Sequence, residues 1–255
     1  MQDSWQAIDL TLADGTGVSA FDSGGPRARP AVVLLHGIGM SHLTWAELQP
    51  RLAGAARVVS LDLPGFGRTR KPDRPFAVAD FAAAANEALG LIGVGPRVLV
   101  GHSMGAQFAV ECAAQQPALA AGLVLVGPVV NDERRSVREQ SLDLGLDTLR
   151  EPPGVNARVL TDYFRGGVGW YLSTLRAMLA YPIERRIATV PCPVVVLRGE
   201  LDPIAPLPWC LRLAGRAPAP STVVTVPARA HVIPLTAPES VARAALSLGP
   251  PRAES

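Results

Sequence analysis

Short, unbroken apolar runs alternate with helical patterns along the chain. Runs of strand length occur at Ala31–Leu35, 98–100, 123–126 and 191–197, and such runs are typical of parallel strands covered by helices on both faces. Apolar residues recur at helical spacing over Val78–Leu91. Because strands and helices alternate, the pattern predicts an α/β fold with a doubly wound, mostly parallel sheet.

Weaker patterns predict further elements near both ends of the chain. These are strands at 5–12, 18–21, 57–61 and 222–226, and helices at 44–52, 106–114 and 238–248. Asp14-Gly15 separates the first two strands, which indicates an antiparallel hairpin. Residues 250–255, with two prolines and no apolar pattern, are predicted to form a flexible tail.

The segment 129–190 interrupts the alternation of strands and helices. It begins with a charged stretch at 132–139, breaks at Pro-Pro-Gly near residue 152, and then carries large apolar residues at helical spacing. So many large apolar side chains would not remain solvated. The segment is therefore predicted to be a helical cap, inserted between the two core parts 1–128 and 191–249.

Composition narrows the class of protein. The 255 residues are 48% hydrophobic and 18% charged, with a net charge of +2, which suits one globular α/β domain. The small charge and scattered arginines argue against nucleic-acid and anionic-membrane partners. The sequence has no signal-peptide pattern and no apolar run of bilayer-spanning length. Cys112, Cys192 and Cys210 share no metal-binding spacing, and they suit a reducing cytoplasm.

The first candidate for chemistry is the serine that follows the run at 98–100. Gly101, Ser103 and Gly105 form Gly-x-Ser-x-Gly, the pattern of a nucleophile elbow. This strand-to-helix turn is so tight that it strains the serine backbone, and only glycines fit beside it. The pattern predicts that Ser103 presents its hydroxyl at the carboxyl end of the sheet.

A serine hydroxyl is a weak nucleophile until an imidazole accepts its proton, so a histidine partner is required. The chain has four histidines. His36 and His102 lie inside backbone-shaping motifs, and His42 lies in the loop after the third strand. His231 alone follows the last predicted strand, from which it can return to the carboxyl edge of the sheet. His231 is therefore the predicted base.

Three carboxylates compete to orient this base. Asp202 follows the strand at 191–197 in a short turn that ends at Pro203, and that turn places it at the same edge of the sheet. Glu200 lies in the same turn, and Asp132 follows the strand at 123–126. Asp202 is preferred, and the two alternatives remain open.

The motifs assembled so far resemble those of the α/β-hydrolase superfamily. They are His36-Gly-Ile-Gly39, Asp62-Leu-Pro-Gly-Phe-Gly67, Gly101-His-Ser-Met-Gly105, Gly199-Glu-Leu-Asp202 and His231. Their order of serine, aspartate and histidine is the order of that family. The resemblance implies the α/β-hydrolase fold, with a sheet of about eight strands and an inserted helical cap. It also implies that the backbone N–H groups of Ile38 and Met104 form an oxyanion hole. A serine mechanism of this kind needs no metal or organic cofactor, and the sequence offers no site for one.

Within the superfamily the chain is most similar to small capped esterases, enol-lactonases and meta-cleavage-product hydrolases. Gly39-Met40-Ser41 replaces the Gly-Pro-Gly that is usual in the last group. The predicted function is a serine hydrolase that cleaves a small ester, lactone or thioester through an acyl-enzyme on Ser103. Alternatives are a carbon–carbon bond hydrolase, a lyase, cyclase or acyltransferase using the same residues, and a non-catalytic ligand-binding protein.

The cap supplies candidate substrate contacts. The residues predicted to line a pocket for an apolar acyl group are Trp170, Tyr171, Leu175 and Met178. Plain packing between cap and core is an equally good interpretation of these four. The arginines at 134, 135 and 138 belong either to a solvated face or to a surface that attracts a carboxylate-bearing substrate.

Overall fold

The computed structural model describes residues 5–27, 29–152, 154–156 and 167–248. In these ranges eight strands form one sheet. The strands are β1 (Gln6–Thr11), β2 (Gly17–Asp22), β3 (Ala31–Leu35), β4 (Val58–Asp62), β5 (Arg97–His102), β6 (Ala120–Val126), β7 (Val194–Gly199) and β8 (Ser221–Val226). Their order is β1-β2-β4-β3-β5-β6-β7-β8, and β2 pairs antiparallel with both of its neighbours. The predicted fold class is confirmed, including the opening hairpin.

Helices cover both faces of the sheet. They are α1 (Gln49–Ala53), α2 (Val78–Leu91), α3 (Met104–Gln115), α4 (Val137–Thr148), α5 (Val168–Ala180), α6 (Ile183–Arg186), α7 (Leu207–Ala214), α8 (Ile233–Thr236) and α9 (Pro238–Ser247). The helix predicted at 44–52 is instead a 3-10 turn, His42–Trp45, followed by α1. Pro50 lies at the start of α1, where its missing N–H is tolerated, and it prevents one continuous helix.

Alternate residues of the central strands pack into two separate hydrophobic layers. Val33 and Leu35 join the layer that contains α2 and α3, whereas Val32 and Leu34 join the layer that contains α1 and α9. Burial on both faces explains why the runs predicted as strands are continuously apolar.

The strands from β3 to β8 that pair side by side are all parallel. The loops that follow them therefore meet at one edge of the sheet. Open α/β sheets bind ligands at this carboxyl edge.

The inserted segment between β6 and β7 contains helices α4 and α5. Ser136 begins α4 with a reciprocal capping box, in which Ser136 N–H donates to Glu139 Oε2 at 3.1 Å. Residues 157–166 of the predicted cap lie outside the described residues, as does the predicted tail at 250–255. The cap boundaries, 129 and 190, remain a prediction.

One buried side chain joins the inserted segment to the core. Gln107 of α3 donates from Nε2 to the carbonyl oxygens of Met178, at 3.0 Å, and Val129, at 3.3 Å. Because this helix also follows Ser103, the position of α5 is fixed relative to the elbow. None of the helices in the described ranges has the length and apolarity needed to cross a membrane.

Candidate active site

Ser103 lies in the tight turn between β5 and α3. Its backbone has φ 56° and ψ −120°, a left-handed conformation that is costly for a residue with a side chain. A side chain at Gly101 would overlap the carbonyl oxygen of Gly105, and one at Gly105 would overlap that of Leu35. These close approaches explain why the elbow requires glycine on both sides of the serine.

His231 and Asp202 form a buried pair beside the elbow. His231 Nδ1 lies 2.9 Å from Asp202 Oδ2, while Asp202 Oδ1 accepts the N–H groups of Ile204 at 2.8 Å and Ala205 at 3.0 Å. His231 Nε2 is buried and has no hydrogen-bond partner among the described residues. Since Nδ1 donates to the carboxylate, Nε2 of the neutral ring is free to accept a proton.

Asp202 and His231 favour their charged forms although both side chains are buried. Burial alone would raise the pKa of Asp202, but His231 and the two backbone N–H donors bring that pKa below its usual value. Burial would likewise lower the pKa of His231, but the neighbouring Asp202 carboxylate outweighs it and raises the pKa of His231 to about 9. The site therefore stabilises an imidazolium ion, the form that His231 takes after it accepts a proton.

His102 fixes the backbone of the histidine loop, residues 227–232, which joins β8 to α8. Burial lowers the pKa of His102 to about 3, so its ring is neutral near pH 7. His102 Nε2 lies 3.1 Å from the carbonyl oxygen of His231. A carbonyl only accepts, so this nitrogen carries the ring proton. The residue before Ser103 thus holds the backbone of His231 in place.

The loop after β3 approaches the elbow closely. A side chain on Gly37 would lie 3.1 Å from Ser103 Cβ. His36 shapes this loop, since its Nδ1 lies 2.8 Å from Gly37 O and its Nε2 accepts Leu63 N–H at 3.2 Å. The N–H of Ile38 donates no hydrogen bond within the described residues, and Met104 opens α3, where an N–H has no intrahelical acceptor.

Gly127 is a site residue that sequence reasoning missed. It follows β6 with φ +54°, and a side chain there would lie 2.8 Å from both Cε1 and Nδ1 of His231. It would also lie 3.3 Å from Asp202 Oδ2. Gly127 therefore forms the surface against which the imidazole rests. Its position after a strand at the carboxyl edge was the one available signal.

Ser103 and His231 open into a cavity of about 270 Å³. Its other lining residues in the described part of the chain are Ile38, Met40, His102, Val129, Leu144, Asp147, Thr148, Asn156, Tyr171, Leu172, Leu175, Met178, Ile204 and Val232. Most of these side chains are apolar, and several come from α4 and α5. The cavity therefore lies between the inserted helices and the carboxyl edge of the sheet.

Three of the four aromatic and aliphatic residues predicted in the pocket line this cavity, namely Tyr171, Leu175 and Met178. Trp170 does not. It packs instead against Phe66, Phe76 and Phe81, with ring centroids 6.2 to 6.5 Å away. Trp170 is one residue from Tyr171 on a helix, so the two side chains point in different directions. The expectation for Trp170 is corrected to packing of α5 against the core.

The competing acids have other partners. Asp132 contacts Arg212 at 2.7 Å and Arg216 at 3.8 Å, and Glu200 accepts the N–H of Ala228 at 2.9 Å. Asp202 is the acid that contacts His231 Nδ1. The structure thus places Asp202, the preferred acid, against His231, whereas Asp132 and Glu200 contact other residues.

Two of the three arginines at the start of the inserted segment form ion pairs. Arg134 contacts Asp143 at 2.9 Å, and Arg135 contacts Glu184 at 2.7 Å. Both pairs lie within the inserted segment, and none of their residues lines the cavity. Arg138 is exposed. The three cysteines are free and buried, and no group of three or more His, Cys, Asp or Glu side chains in the described ranges is arranged to hold a metal ion.

A sequence model of the alpha/beta hydrolase family matches residues 32–244. The match covers most of the chain and includes Ser103, Asp202 and His231. The chain belongs to the alpha/beta hydrolase family.

Individual relatives agree with this assignment. The (E)-2-((N-methylformamido)methylene)succinate hydrolase of Acinetobacter baylyi is 25% identical over 231 residues, which are 84% of this chain and 88% of that enzyme. An uncharacterised protein of Mycobacterium tuberculosis is 34% identical over 122 residues, 47% of this chain and 36% of the relative. The chain therefore matches little more than a third of the length of that mycobacterial protein.

Solved structures share the fold. A thermophilic esterase from Thermogutta terrifontis, solved with malate bound, superimposes with a TM-score of 0.80. The two chains are 22% identical, and the superposition covers 95% of this chain and 97% of the esterase. At this identity the likeness concerns the fold alone.

Proposed function

We propose that the protein is a serine hydrolase that cleaves a small carboxylic ester, lactone or thioester through an acyl-enzyme on Ser103. One observation carries the proposal. Ser103 and His231 line the same cavity, the buried Nε2 of His231 has no hydrogen-bond partner among the described residues, and the other ring nitrogen contacts the buried Asp202. This is the arrangement that activates a serine hydroxyl.

In the first step, Ser103 Oγ attacks the substrate carbonyl carbon as its proton moves to His231 Nε2. The carbonyl oxygen becomes an oxyanion that the N–H groups of Ile38 and Met104 stabilise. Each such donor contributes about 3 kcal/mol to the transition state. The intermediate then collapses, the bond to the leaving oxygen or sulfur breaks, and His231 returns the proton to that atom.

In the second step, His231 removes a proton from water, and the resulting hydroxide attacks the acyl carbon. The bond between that carbon and Ser103 Oγ breaks as the serine recovers its proton from His231. Asp202 remains ionised throughout and stabilises the imidazolium formed in each half of the reaction.

The inserted segment supplies the acyl pocket, so it acts as a cap. Leu175 and Met178 of α5 line the cavity together with Ile204 of the core. A cavity of this volume and lining suits a short apolar acyl group. The Acinetobacter baylyi relative is named a hydrolase, which supports hydrolysis by this chain. Its substrate is a property of that enzyme.

Release of p-nitrophenol from acetyl, butyryl and octanoyl esters tests the proposal. Leu175→Trp fills the pocket, so we expect kcat/KM for the octanoyl ester to fall about tenfold relative to the acetyl ester. The larger side chain would displace about two methylene groups of the octanoyl chain from the pocket, and burial of each contributes about 0.8 kcal/mol, which together correspond to about tenfold. Leu149→Trp is the matched control, because Leu149 is 84% exposed on the same segment and does not line the cavity.

Two results would contradict different parts of the proposal, the hydrolysis and the position of the acyl pocket. If no ester is hydrolysed, water is not the acceptor or the protein is not a hydrolase of this class. If Leu175→Trp and Leu149→Trp keep the same chain-length preference as the wild type, the acyl group binds elsewhere.

Gly127→Ala should lower kcat/KM by about tenfold to a hundredfold. The new methyl group would push the imidazole away from Asp202, and displacement of a catalytic group by about 1 Å costs up to a hundredfold. Steady-state kinetics on the best ester measure the effect. Gly93→Ala is the control, since Gly93 also has a positive φ, +65°, but a side chain there meets nothing within 4 Å. Equal activity of the two variants would show that Gly127 does not position His231.

A further inference from the structure

Two carboxylates of the inserted segment bind the backbone of the histidine loop. Asp147 Oδ1 accepts the N–H of His231 at 3.0 Å, and Glu151 Oε1 accepts the N–H of the next residue, Val232, at 2.6 Å. Asp147 lies in the last turn of α4, and Glu151 lies four residues further on. One end of one helix therefore holds two consecutive amides beside the candidate base.

Both carboxylates are buried. Asp147 is 4% exposed and Glu151 is 6% exposed. Burial of a carboxylate is unfavourable unless hydrogen bonds or charges compensate for it, and burial raises the pKa of both groups. Packing between cap and core needs only apolar side chains. Two buried acids at this one contact therefore indicate a role beyond filling space.

These contacts complete the support of His231. Its carbonyl oxygen contacts His102 Nε2 at 3.1 Å and accepts Ile233 N–H at 2.9 Å. Its ring nitrogen Nδ1 contacts Asp202. Of these four contacts, the bond from the His231 N–H to Asp147 is the one that comes from the inserted segment. The position of α4 and the position of His231 are therefore linked.

The two acids also add charge near the base. The groups that face His231 are Asp202, Asp147 and Glu151, which favour its protonated form, and His102, whose lowered pKa leaves it neutral. Asp147 contributes to the raised pKa of His231 after Asp202. Removing its charge while keeping its shape should therefore make the imidazole easier to deprotonate.

We propose that Asp147 and Glu151 are positioning residues, which fasten the inserted segment to the histidine loop and hold His231 at the cavity that Ser103 also lines. The catalytic part of this inference rests on the proposed function. The contact itself does not, because it can be measured on the resting protein.

The first experiment compares Asp147→Ala with Asp147→Asn in the full chain. Alanine removes the acceptor of the His231 N–H, so kcat/KM for p-nitrophenyl butyrate should fall about tenfold to a hundredfold. Asparagine keeps an acceptor oxygen, so at pH values above the titration of His231 it should restore activity to within about threefold of the wild type. Asp73→Asn, which neutralises an exposed carboxylate, is the control for a charge effect alone.

The second experiment follows the His231 imidazole by NMR as pH is varied, without substrate. In the wild type His231 should titrate well above the ordinary 6.5 of histidine. In Asp147→Asn the midpoint should fall by about 0.5 or more, because the attracting carboxylate is gone. Asp73→Asn should leave it unchanged. Since a protonated His231 cannot accept the serine proton, the acid limb of kcat/KM against pH should shift downward with the midpoint.

The outcomes separate the two proposals. If Asp147→Ala retains wild-type kcat/KM and Asp147→Asn leaves the His231 titration unmoved, the positioning role is overturned. If Asp147→Ala does not fold, the titration of Asp147→Asn decides the question. If the wild type hydrolyses no ester but Asp147→Asn still lowers the midpoint, the contact is supported and the proposed function fails.

Discussion

Ser103→Ala is expected to lower kcat/KM for p-nitrophenyl esters by about a thousandfold or more. The variant keeps the backbone N–H groups of Ile38 and Met104 and the cavity, but it has no oxygen that can form the acyl-enzyme. Alanine relieves none of the strain at φ 56°, so the elbow should keep its shape and the thermal unfolding temperature should change little. Steady-state kinetics and a thermal melt measure both quantities.

Ser247→Ala provides the comparison for Ser103→Ala. Ser247 is exposed at the end of α9, where its Oγ contacts the carbonyl oxygen of Ala244. It should retain wild-type kcat/KM. If Ser103→Ala is as active as Ser247→Ala, hydrolysis does not proceed through a nucleophile at the elbow.

Asp202→Asn is expected to lower kcat by about ten-thousandfold. An asparagine oxygen can still accept the N–H groups of Ile204 and Ala205, so the turn should survive. If that oxygen serves the two amides, the amide NH₂ faces His231 Nδ1. A donor there forces the ring proton onto Nε2, the nitrogen that must accept the proton of Ser103. The effect should be visible in kcat on the best ester.

Glu200→Gln and Asp132→Asn are the matched controls, because both are acids near the same edge whose contacts lie away from His231. Each should keep kcat within a fewfold of the wild type. If kcat falls strongly in Glu200→Gln or Asp132→Asn while Asp202→Asn remains active, Asp202 is not the acid that orients His231.

Sequence patterns predict the fold where burial alone decides the structure. Ala31–Leu35 and Val78–Leu91 match the predicted bounds, because a strand buried on both faces and an amphipathic helix each leave a clear signature. Helix α7 was not predicted. Pro206 precedes this helix and Pro208 lies in its first turn. Because prolines are common both at helix starts and in loops, the sequence does not distinguish the two.

Some residues of the candidate site could likewise be predicted from local sequence patterns, and others could not. Ser103, Asp202 and His231 could be found because each stands at the carboxyl end of a strand, so the local pattern places them together. Asp147 could not, because its contact with His231 joins residues 84 positions apart and depends on how α4 packs. Trp170 and Tyr171 show the same limit, since spacing alone does not say which of two adjacent helical residues faces a cavity.

The most direct test of the account is the intact mass of the full chain after incubation with a serine-directed fluorophosphonate, followed by peptide mapping. We expect one adduct per chain, located on Ser103, absent from Ser103→Ala and formed much more slowly in Asp202→Asn. An unmodified wild-type chain, or an adduct that forms equally in Ser103→Ala, would contradict it.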